Sequence, residues 1–320
     1  MKKLLLVLLA LLAGVVFPVQ GRINAALSAE AGDPILAAAA SFAGGLLLMI
    51  LICALHPGSR RATARVPAAL RSGQVRWWHL GAGAVGGLVV FTQALTIGLV
   101  GAAVFIVALI VGQLLGNITL DAVGLSPAGR KPLTLMRGTA AALTVVAIML
   151  ILVPGISGDG FGAAWILSAG LALLAGMLNA GQQVINARQS AAYVSPAPVT
   201  LINFTAGLLA LVVAGLVRGT ESALGSLPEL TEPTNWWYYA GGPLGCLLIA
   251  VSAVLIGRVG ALAAGIGITA GHLLGAVAVD LVAPAEGVVV TGWTLGGIVI
   301  ALGASCLIGL SGPRRPVRQR

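Results

Sequence analysis

Amide side chains recur at helical spacing in two apolar stretches of the sequence. Gln20 and Asn24 lie four residues apart, and Gln182 and Asn186 repeat that spacing. Residues four apart share one helical face, and an amide both donates and accepts hydrogen bonds. The second stretch carries two further amides, Asn179 and Gln183. We predict that these side chains line a polar cavity for a neutral or zwitterionic solute. The alternative is that they bond neighbouring helices to one another.

A second polar pair sits within glycine-rich apolar segments. Gln113 lies in the sequence GQLLG and His272 in GHLLG. Glycines four apart allow close helix packing, and a histidine titrates near pH 6.5. His272 is therefore a candidate for substrate binding and for coupling proton movement to transport, with a neutral, hydrogen-bonded histidine as the alternative. Gln93 and Asn203 are weaker candidates for a site.

Two aspartates end apolar segments, Asp121 and Asp280. A carboxylate at a helix C-terminus is disfavoured by the helix dipole, so each needs a local partner. For Asp121 the sequence offers Arg130, Lys131 or Arg137, which predicts an ion pair at the cytoplasmic face, with gating as the second interpretation. Asp280 has no basic neighbour in sequence, so a coupling-ion or gating role is a hypothesis for it.

The elements that position these residues are membrane helices. Hydrophobic residues make up 58% of the 320 residues and charged residues only 8%, far below the roughly 25% of soluble domains. Apolar runs of about 20 residues, each able to cross the hydrocarbon, predict about ten spans: 4–24, 34–55, 77–97, 101–121, 134–153, 163–185, 197–217, 236–256, 259–281 and 290–310. The links at 98–101 and 256–260 predict tight hairpins.

The charge distribution predicts the orientation of these spans. With the N-terminus inside, 16 of the 18 basic residues fall on the cytoplasmic side: Lys2, Lys3, Arg60, Arg61, Arg65, Arg71, Arg76, Arg130, Lys131, Arg137, Arg188, Arg258, Arg314, Arg315, Arg318 and Arg320. Arg22 and Arg218 alone fall outside. Positive residues accumulate on the cytoplasmic side of membrane proteins, so both termini are predicted to be cytoplasmic. A net charge of +9 in such loops argues against nucleic-acid binding.

The sequence also repeats itself. A shift of 162 residues superposes Gln20, Asn24, Pro34, Phe42 and Gly45 on identical residues, and a shift of 159 superposes Trp77-Trp78 on Trp236-Trp237 and GQLLG on GHLLG. Each copy holds five spans, an odd number, so the second copy enters the membrane from the opposite face. We therefore predict an all-α integral membrane protein of two inverted five-helix repeats, at 1–155 and 156–312, with a basic cytoplasmic tail at 313–320.

This arrangement resembles the drug/metabolite transporter superfamily. More closely, Gln20, Asn24, Pro34, Phe42 and Gly45, followed by GQLLGN and Asp121, resemble the YdcZ-type inner-membrane exporters. The chain looks like two such units fused, and the resemblance covers residues 10–310. It implies transport of small molecules across the bacterial inner membrane and leaves the substrate open. The second copy departs from the first in having His272 and Ala276 where the first has Gln113 and Asn117.

These observations predict a secondary transporter, and the resemblance favours an exporter of a small metabolite or drug-like solute that uses alternating access between inverted repeats. The alternatives are a non-transporting accessory or scaffold subunit and a membrane-embedded enzyme or lipid-handling protein. No P-loop, HExxH, CxxC or GxSxG motif is present, so ATP-driven transport by this chain alone, enzymatic activity, a cofactor and a metal site are not expected. The expected partners are the lipid bilayer and a small-molecule substrate. Proton or ion coupling is open, and an oligomer is compatible with the sequence.

Overall fold

The computed structural model describes residues 2–125, 130, 134–157, 162–285 and 287–310, and within these ranges the chain is helical and has no β-strand. The first half contains α1 (Lys2–Ala31), α2 (Pro34–Leu55), the short helices α3 (Pro57–Thr63) and α4 (Val66–Arg71), α5 (Gly83–Val123) and α6 (Leu135–Ser157). The second half contains α7 (Gly162–Tyr193), α8 (Ala197–Arg218), α9 (Gly241–Val259), α10 (Ala261–Val282) and α11 (Gly292–Leu310). Short 3-10 helices occupy Trp77–Ala82, Thr220–Ser226 and Pro233–Tyr239. Lys131 and the predicted tail at 313–320 lie outside the described residues.

Helix α5 covers two predicted spans. Its backbone leaves the helical region at Gly101, where φ is 83° and ψ is 164°. Gly260, between α9 and α10, adopts nearly the same angles, φ 83° and ψ 158°. Positive φ of this kind is accessible to glycine at no steric cost. Each predicted link is therefore a single-glycine break, and we call the parts of α5 before and after Gly101 its N-terminal and C-terminal arms.

Seven helices in the described part of the chain are long and apolar enough to cross a membrane, or eight if the bent pair Pro233–Tyr239 and Gly241–Ile256 counts as one span. In that count the two arms of α5 form a single segment, and α11 contributes only a shorter apolar stretch, Gly292–Leu307. Every one of the ten predicted spans overlaps a helix. The number of helices that cross the bilayer stays a prediction.

Two helices continue beyond the spans predicted for them. The first and sixth predicted spans end at residues 24 and 185, whereas α1 continues to Ala31 and α7 to Tyr193. Alanine and other good helix formers follow the apolar runs, so the helices extend past the hydrophobic segments. Gly32, with φ 69°, follows the end of α1, and Asp33 then caps α2 by accepting the N–H groups of Ile35 and Leu36.

The two repeats pack on each other through two reciprocal helix pairs. Along α1 and α10 the contacts rise together in sequence, from Gly14 against Gly271 to Val15 against Gly275, so these helices run parallel. The C-terminal arm of α5 packs on α7 in the same way, from Gly112 against Leu173 to Gly116 against Ala180. Under the repeat shifts α1 corresponds to α7, and α10 corresponds to the C-terminal arm of α5. In both pairs, therefore, the first helix of one repeat packs against the helix of the fourth predicted span of the other repeat.

Equivalent helices of the two repeats run in opposite directions. The carboxylate of Asp280, near the end of α10, accepts hydrogen bonds from the backbone N–H groups of Ala102 (2.8 Å) and Ala103 (2.7 Å), at the start of the C-terminal arm of α5. The start of one helix thus lies beside the end of its repeat equivalent. The contacts between the equivalent helices α2 and α8 also run in opposite order, with Ile35 against Gly215 and Gly45 against Phe204, as an inverted repeat requires.

An aromatic contact marks the axis that relates the repeats. Phe42 in α2 and Phe204 in α8 are repeat equivalents, and their rings meet edge to face with centroids 5.1 Å apart. Each ring packs on the glycine of the opposite helix, Phe42 on Gly207 and Phe204 on Gly45. Since equivalent residues contact each other, the pseudo-twofold axis passes between them.

Candidate functional site

A cavity of about 620 Å³ lies on this axis. Its walls come from both repeats: α1, α2 and both arms of α5 from the first, and α7, α8, α9 and α10 from the second. The volume lies within the range of ligand pockets, roughly 300–1,000 Å³.

The structure brings most of the predicted site residues together around this cavity. Those that line it are Gln20, Gln113, Asn179, Gln182, Gln183, Asn186 and His272. Asn203, the weaker candidate, lines it as well. Asn24 does not, because its side chain is fully buried to one side, where its Nδ2 donates to Oε1 of Gln93 (3.3 Å).

Gln20 and Gln182 occupy equivalent positions behind glycines of the opposite repeat. A Cβ built on Gly86 would lie 3.2 Å from Nε2 of Gln182, and one on Gly245 would lie 3.2 Å from Nε2 of Gln20. The glycines therefore leave room for both amides at the cavity wall. In the part of the chain that the structure describes, neither glutamine side chain has a hydrogen-bond partner. Both amides are available to a solute.

The amides of α7 form a polar wall. Gln183 donates to Oδ1 of Asn179 (2.9 Å), and Asn203 of α8 donates to Oδ1 of Asn186 (3.0 Å). Oδ1 of Asn203 is buried and has no partner among the described residues. A buried acceptor without a partner is costly, and its residue lines the cavity.

The opposite wall is aromatic. The rings of Phe17 and His272 lie with centroids 5.1 Å apart, and Nε2 of His272 is buried without a partner in the described chain. Under the repeat shifts Phe17 is the equivalent of Asn179, and His272 of Gln113. The cavity is therefore pseudosymmetric in its backbone and asymmetric in its chemistry.

The cavity is open at one end and packed at the other. The open end is lined by the last turns of α7 and α9 and the first turns of α8, namely Ala187, Ser190, Pro196, Thr200, Asn203, Ser252, Ala253 and Ile256. None of the first-repeat equivalents of these residues lines the cavity. Ala25, the equivalent of Ala187, is 4% exposed, and Ile97 is 0% exposed where its equivalent Ile256 is 47% exposed.

Side chains fill the packed end. Asn24 bonds to Gln93 there, and Gly21 lies so close to Ile97 that a Cβ on it would be 2.6 Å from the Ile97 Cδ1 atom. The start of α9 covers the same region, since a Cβ on Gly241 would overlap the side chain of Asn24. The closure therefore depends on glycines at points where helices meet.

The two aspartates lie outside the cavity lining, each at a helix junction. Asp121 forms a buried ion pair with Arg137 of α6, one of its three predicted partners. Asp280 uses both carboxylate oxygens to accept the N–H groups of Ala102 and Ala103, an N-cap arrangement that favours a negative charge. Its geometry is that of a helix cap. Arg22 lies beside this junction and donates to the carbonyl oxygens of Ala283 and Pro284.

Sequence reasoning missed the apolar part of the lining. Phe17, Phe42 and Phe204 all contribute to the cavity wall, whereas the sequence pattern indicates only polar residues. The signal was present in the repeat, because Phe42 and Phe204 coincide under the shift and Phe17 falls on Asn179. Within the described ranges, no group of three or more His, Cys, Asp or Glu residues is placed to hold a metal ion.

The comparison with protein families identifies both halves of the chain. The sequence model of the family described as "putative inner membrane exporter, YdcZ" matches residues 5–150 and again residues 167–307. The two matches correspond to the two repeats and together cover most of the chain. A search of curated proteins finds no significant match.

Proposed function

Because the chain belongs to the YdcZ family of inner membrane exporters as two fused repeats, we propose that it is a secondary transporter. In this proposal it exports a small metabolite or drug-like solute across the inner membrane by alternating access. The family membership and the apolar helices establish a multi-pass inner-membrane protein of an exporter family.

The proposal rests on a difference in packing between helix ends that are equivalent in the two repeats. The end of α9 is separated from α7 and α8 across the cavity. The equivalent end of the N-terminal arm of α5 instead packs against α1, where Gln93 bonds to Asn24 and Ile97 lies on Gly21. Two copies of one structural unit can exchange these conformations. The exchange would close the open end and open the packed one around the same cavity, as in other inverted-repeat carriers.

Charge indicates which side is open. Arg188 at the end of α7 and Arg258 at the end of α9 are exposed beside the opening, whereas the exposed Glu30, Glu229 and Glu232 belong to the opposite side of the predicted topology. By the positive-inside rule the cavity faces the cytoplasm. An exporter in this conformation is ready to take its solute from the cytoplasm.

We propose that Gln20, Gln113, Gln182 and the amides of α7 bind the solute, and that Asn24 acts in the closure instead. Asp121 and Asp280 hold helix ends whose separation must change between the two conformations, which suits a gating role. His272 is the one titratable side chain in the described cavity lining, so it is the candidate for proton coupling. A cavity of this size with a polar lining also favours a carrier over an accessory subunit, because an accessory subunit does not need to bind a solute within the bundle.

A reversible cross-link tests the transport cycle. Asn24 and Gln93 meet at the packed end. An Asn24→Cys/Gln93→Cys variant, in a chain with Cys53, Cys246 and Cys306 replaced by alanine, can therefore be locked there by a short bis(methanethiosulfonate) reagent, which joins the two thiols through reducible disulfide bonds. We expect counterflow of solutes from a metabolite panel in proteoliposomes to stop on cross-linking and to return on reduction.

The matched control is the single Asn24→Cys variant, which the same reagent should leave active. Counterflow that continues unchanged in the cross-linked double variant would contradict alternating access at this end. An absence of counterflow for every solute in the panel, with the uncross-linked protein, would contradict the carrier itself.

A further inference from the structure

With His272 neutral, the cavity lining carries no formal charge. Among the described residues that line it there is no Asp, Glu, Lys or Arg, and the polar groups are amides, hydroxyls and one imidazole. An ionised group at membrane depth needs a partner of opposite charge, because its transfer from water is otherwise costly. A cationic or anionic solute would find no such partner in this lining, so the lining selects an uncharged solute.

The two walls differ although the repeats are related by symmetry. On one side the rings of Phe17 and His272 stand together. On the other, the equivalent positions hold Asn179 and Gln113, and Gln183 adds a third amide. An aromatic wall attracts the face or edge of a planar ring, whereas amides pair with donor and acceptor groups. A solute with two unlike ends fits these walls in one orientation.

The two equivalent glutamines line the cavity one from each side, Gln20 on α1 with Phe17 and Gln182 on α7 with Asn179. Gln20 and Gln182 are both largely buried, face the cavity beside Gly245 and Gly86, and have no side-chain partner among the described residues. A buried polar group that lacks a hydrogen bond is unfavourable. Both amides therefore favour a solute that brings its own donor and acceptor.

From this arrangement we infer that the cavity binds an uncharged, planar aromatic solute whose ring lies against Phe17 and His272 and whose hydrogen-bonding group faces Asn179, Gln113 and Gln183. The inference rests on the proposed function, since it names the class of solute that the carrier would move. It goes further in fixing the charge of that solute and its direction in the cavity. The volume of about 620 Å³ accommodates a bicyclic ring system with a polar substituent.

An isosteric series of three probes tests the charge requirement by binding alone. The probes are 2-naphthamide, which is neutral, 2-naphthoate, which is an anion, and 2-naphthamidinium, which is a cation, each titrated calorimetrically into the purified full chain. We expect 2-naphthamide to bind with a Kd of about 1 mM or tighter and both charged probes to bind at least about tenfold more weakly. Equal or tighter binding of a charged probe, or no binding of 2-naphthamide in this range, would overturn the inference.

Exchange of the two unlike walls tests the orientation. Phe17→Asn gives the first repeat the residue that the second repeat has at this position. Asn179→Phe makes the reverse change in the second repeat. We expect each single variant to weaken 2-naphthamide binding about tenfold, because one end of the probe loses its matching wall. The double variant restores one aromatic and one amide side, so it should recover part of the affinity with the probe reversed.

The control variant for the orientation test is Phe17→Tyr. It retains the aromatic ring and should bind 2-naphthamide with the affinity of the native chain. Unchanged affinity in both single variants, or no recovery in the double variant, would overturn the assigned orientation. If a variant does not fold, the charge series on the native chain still decides the inference. A failure of counterflow with intact charge selectivity would instead count against the transport proposal, so the two failures are distinguishable.

Discussion

At the scale of single residues, Asp280 shows how one side chain joins the two repeats. Its carboxylate accepts the N–H groups of Ala102 and Ala103 and so caps the C-terminal arm of α5 from the end of α10. The first N–H groups of a helix have no partner within the helix itself. The glycine break at Gly101 exposes these donors inside the protein, and the carboxylate of the opposite repeat satisfies them.

Replacement of Asp280 therefore has a graded effect on stability. We expect Asp280→Ala to lower the free energy of unfolding by about 2–6 kcal/mol, since two buried donors lose their acceptor at about 1–3 kcal/mol each. Asp280→Asn keeps one acceptor oxygen and should cost less. Thermal unfolding of the purified variants measures the difference. Equal stability of the Ala variant and the native chain would show that water or another group satisfies these donors.

The sequence predicted the positions of such residues better than their roles. The amides at Gln20 and Gln182 lie on the cavity, as their helical spacing implied. Asn24 shares that spacing with Gln20, yet it lies in the packed end because the first repeat is closed there and the second is open. A repeat pattern is symmetric, so it cannot show which copy is closed. Asp280 likewise looked like a free carboxylate because its partners are backbone N–H groups 177 and 178 residues away.

At the scale of helices, glycine determines how closely the repeats approach. Gly271 of α10 packs directly on the carbonyl oxygen of Leu11 and on Gly14 of α1. Gly112 and Gly176 make the equivalent contacts between α5 and α7. Small residues allow this close backbone contact, on which helix association in membranes depends. The GQLLG and GHLLG segments were therefore correctly interpreted as packing surfaces, while the partner helix could not be deduced from them.

Two alanine substitutions in one helix separate this packing from helix propensity. In Gly271→Ala the new methyl group would overlap the carbonyl oxygen of Leu11, so we expect a loss of about 1–3 kcal/mol in stability. A Cβ on Gly265, also in α10, meets nothing within 4 Å, and alanine favours helix over glycine. Gly265→Ala should therefore be neutral or slightly stabilising. Similar melting temperatures for the two variants would contradict the reciprocal packing of α1 and α10.

At the scale of the whole molecule, the protein consists of two copies of one unit in different states. The ten helical positions and the duplication could be predicted from hydrophobic run lengths and self-similarity, because those depend on local sequence. The cavity could not, because it arises from the unequal packing of helix ends that are equivalent in sequence. Identical residues at equivalent positions are buried in the first copy and line the open cavity in the second. Two such pairs are Ala25 with Ala187 and Ala94 with Ala253.

The most direct test of an inverted pair that closes alternately is thiol accessibility at Ala25 and Ala187. Each is replaced by cysteine, one at a time, in a chain free of native cysteines, and a membrane-impermeant thiol reagent is applied from either side of sealed vesicles. We predict that the Ala187→Cys variant reacts from the cytoplasmic side only, and the Ala25→Cys variant reacts more slowly and from the opposite side only. A cross-link between positions 24 and 93 should abolish the second reaction and spare the first. Reaction of both variants from the same compartment would contradict the account.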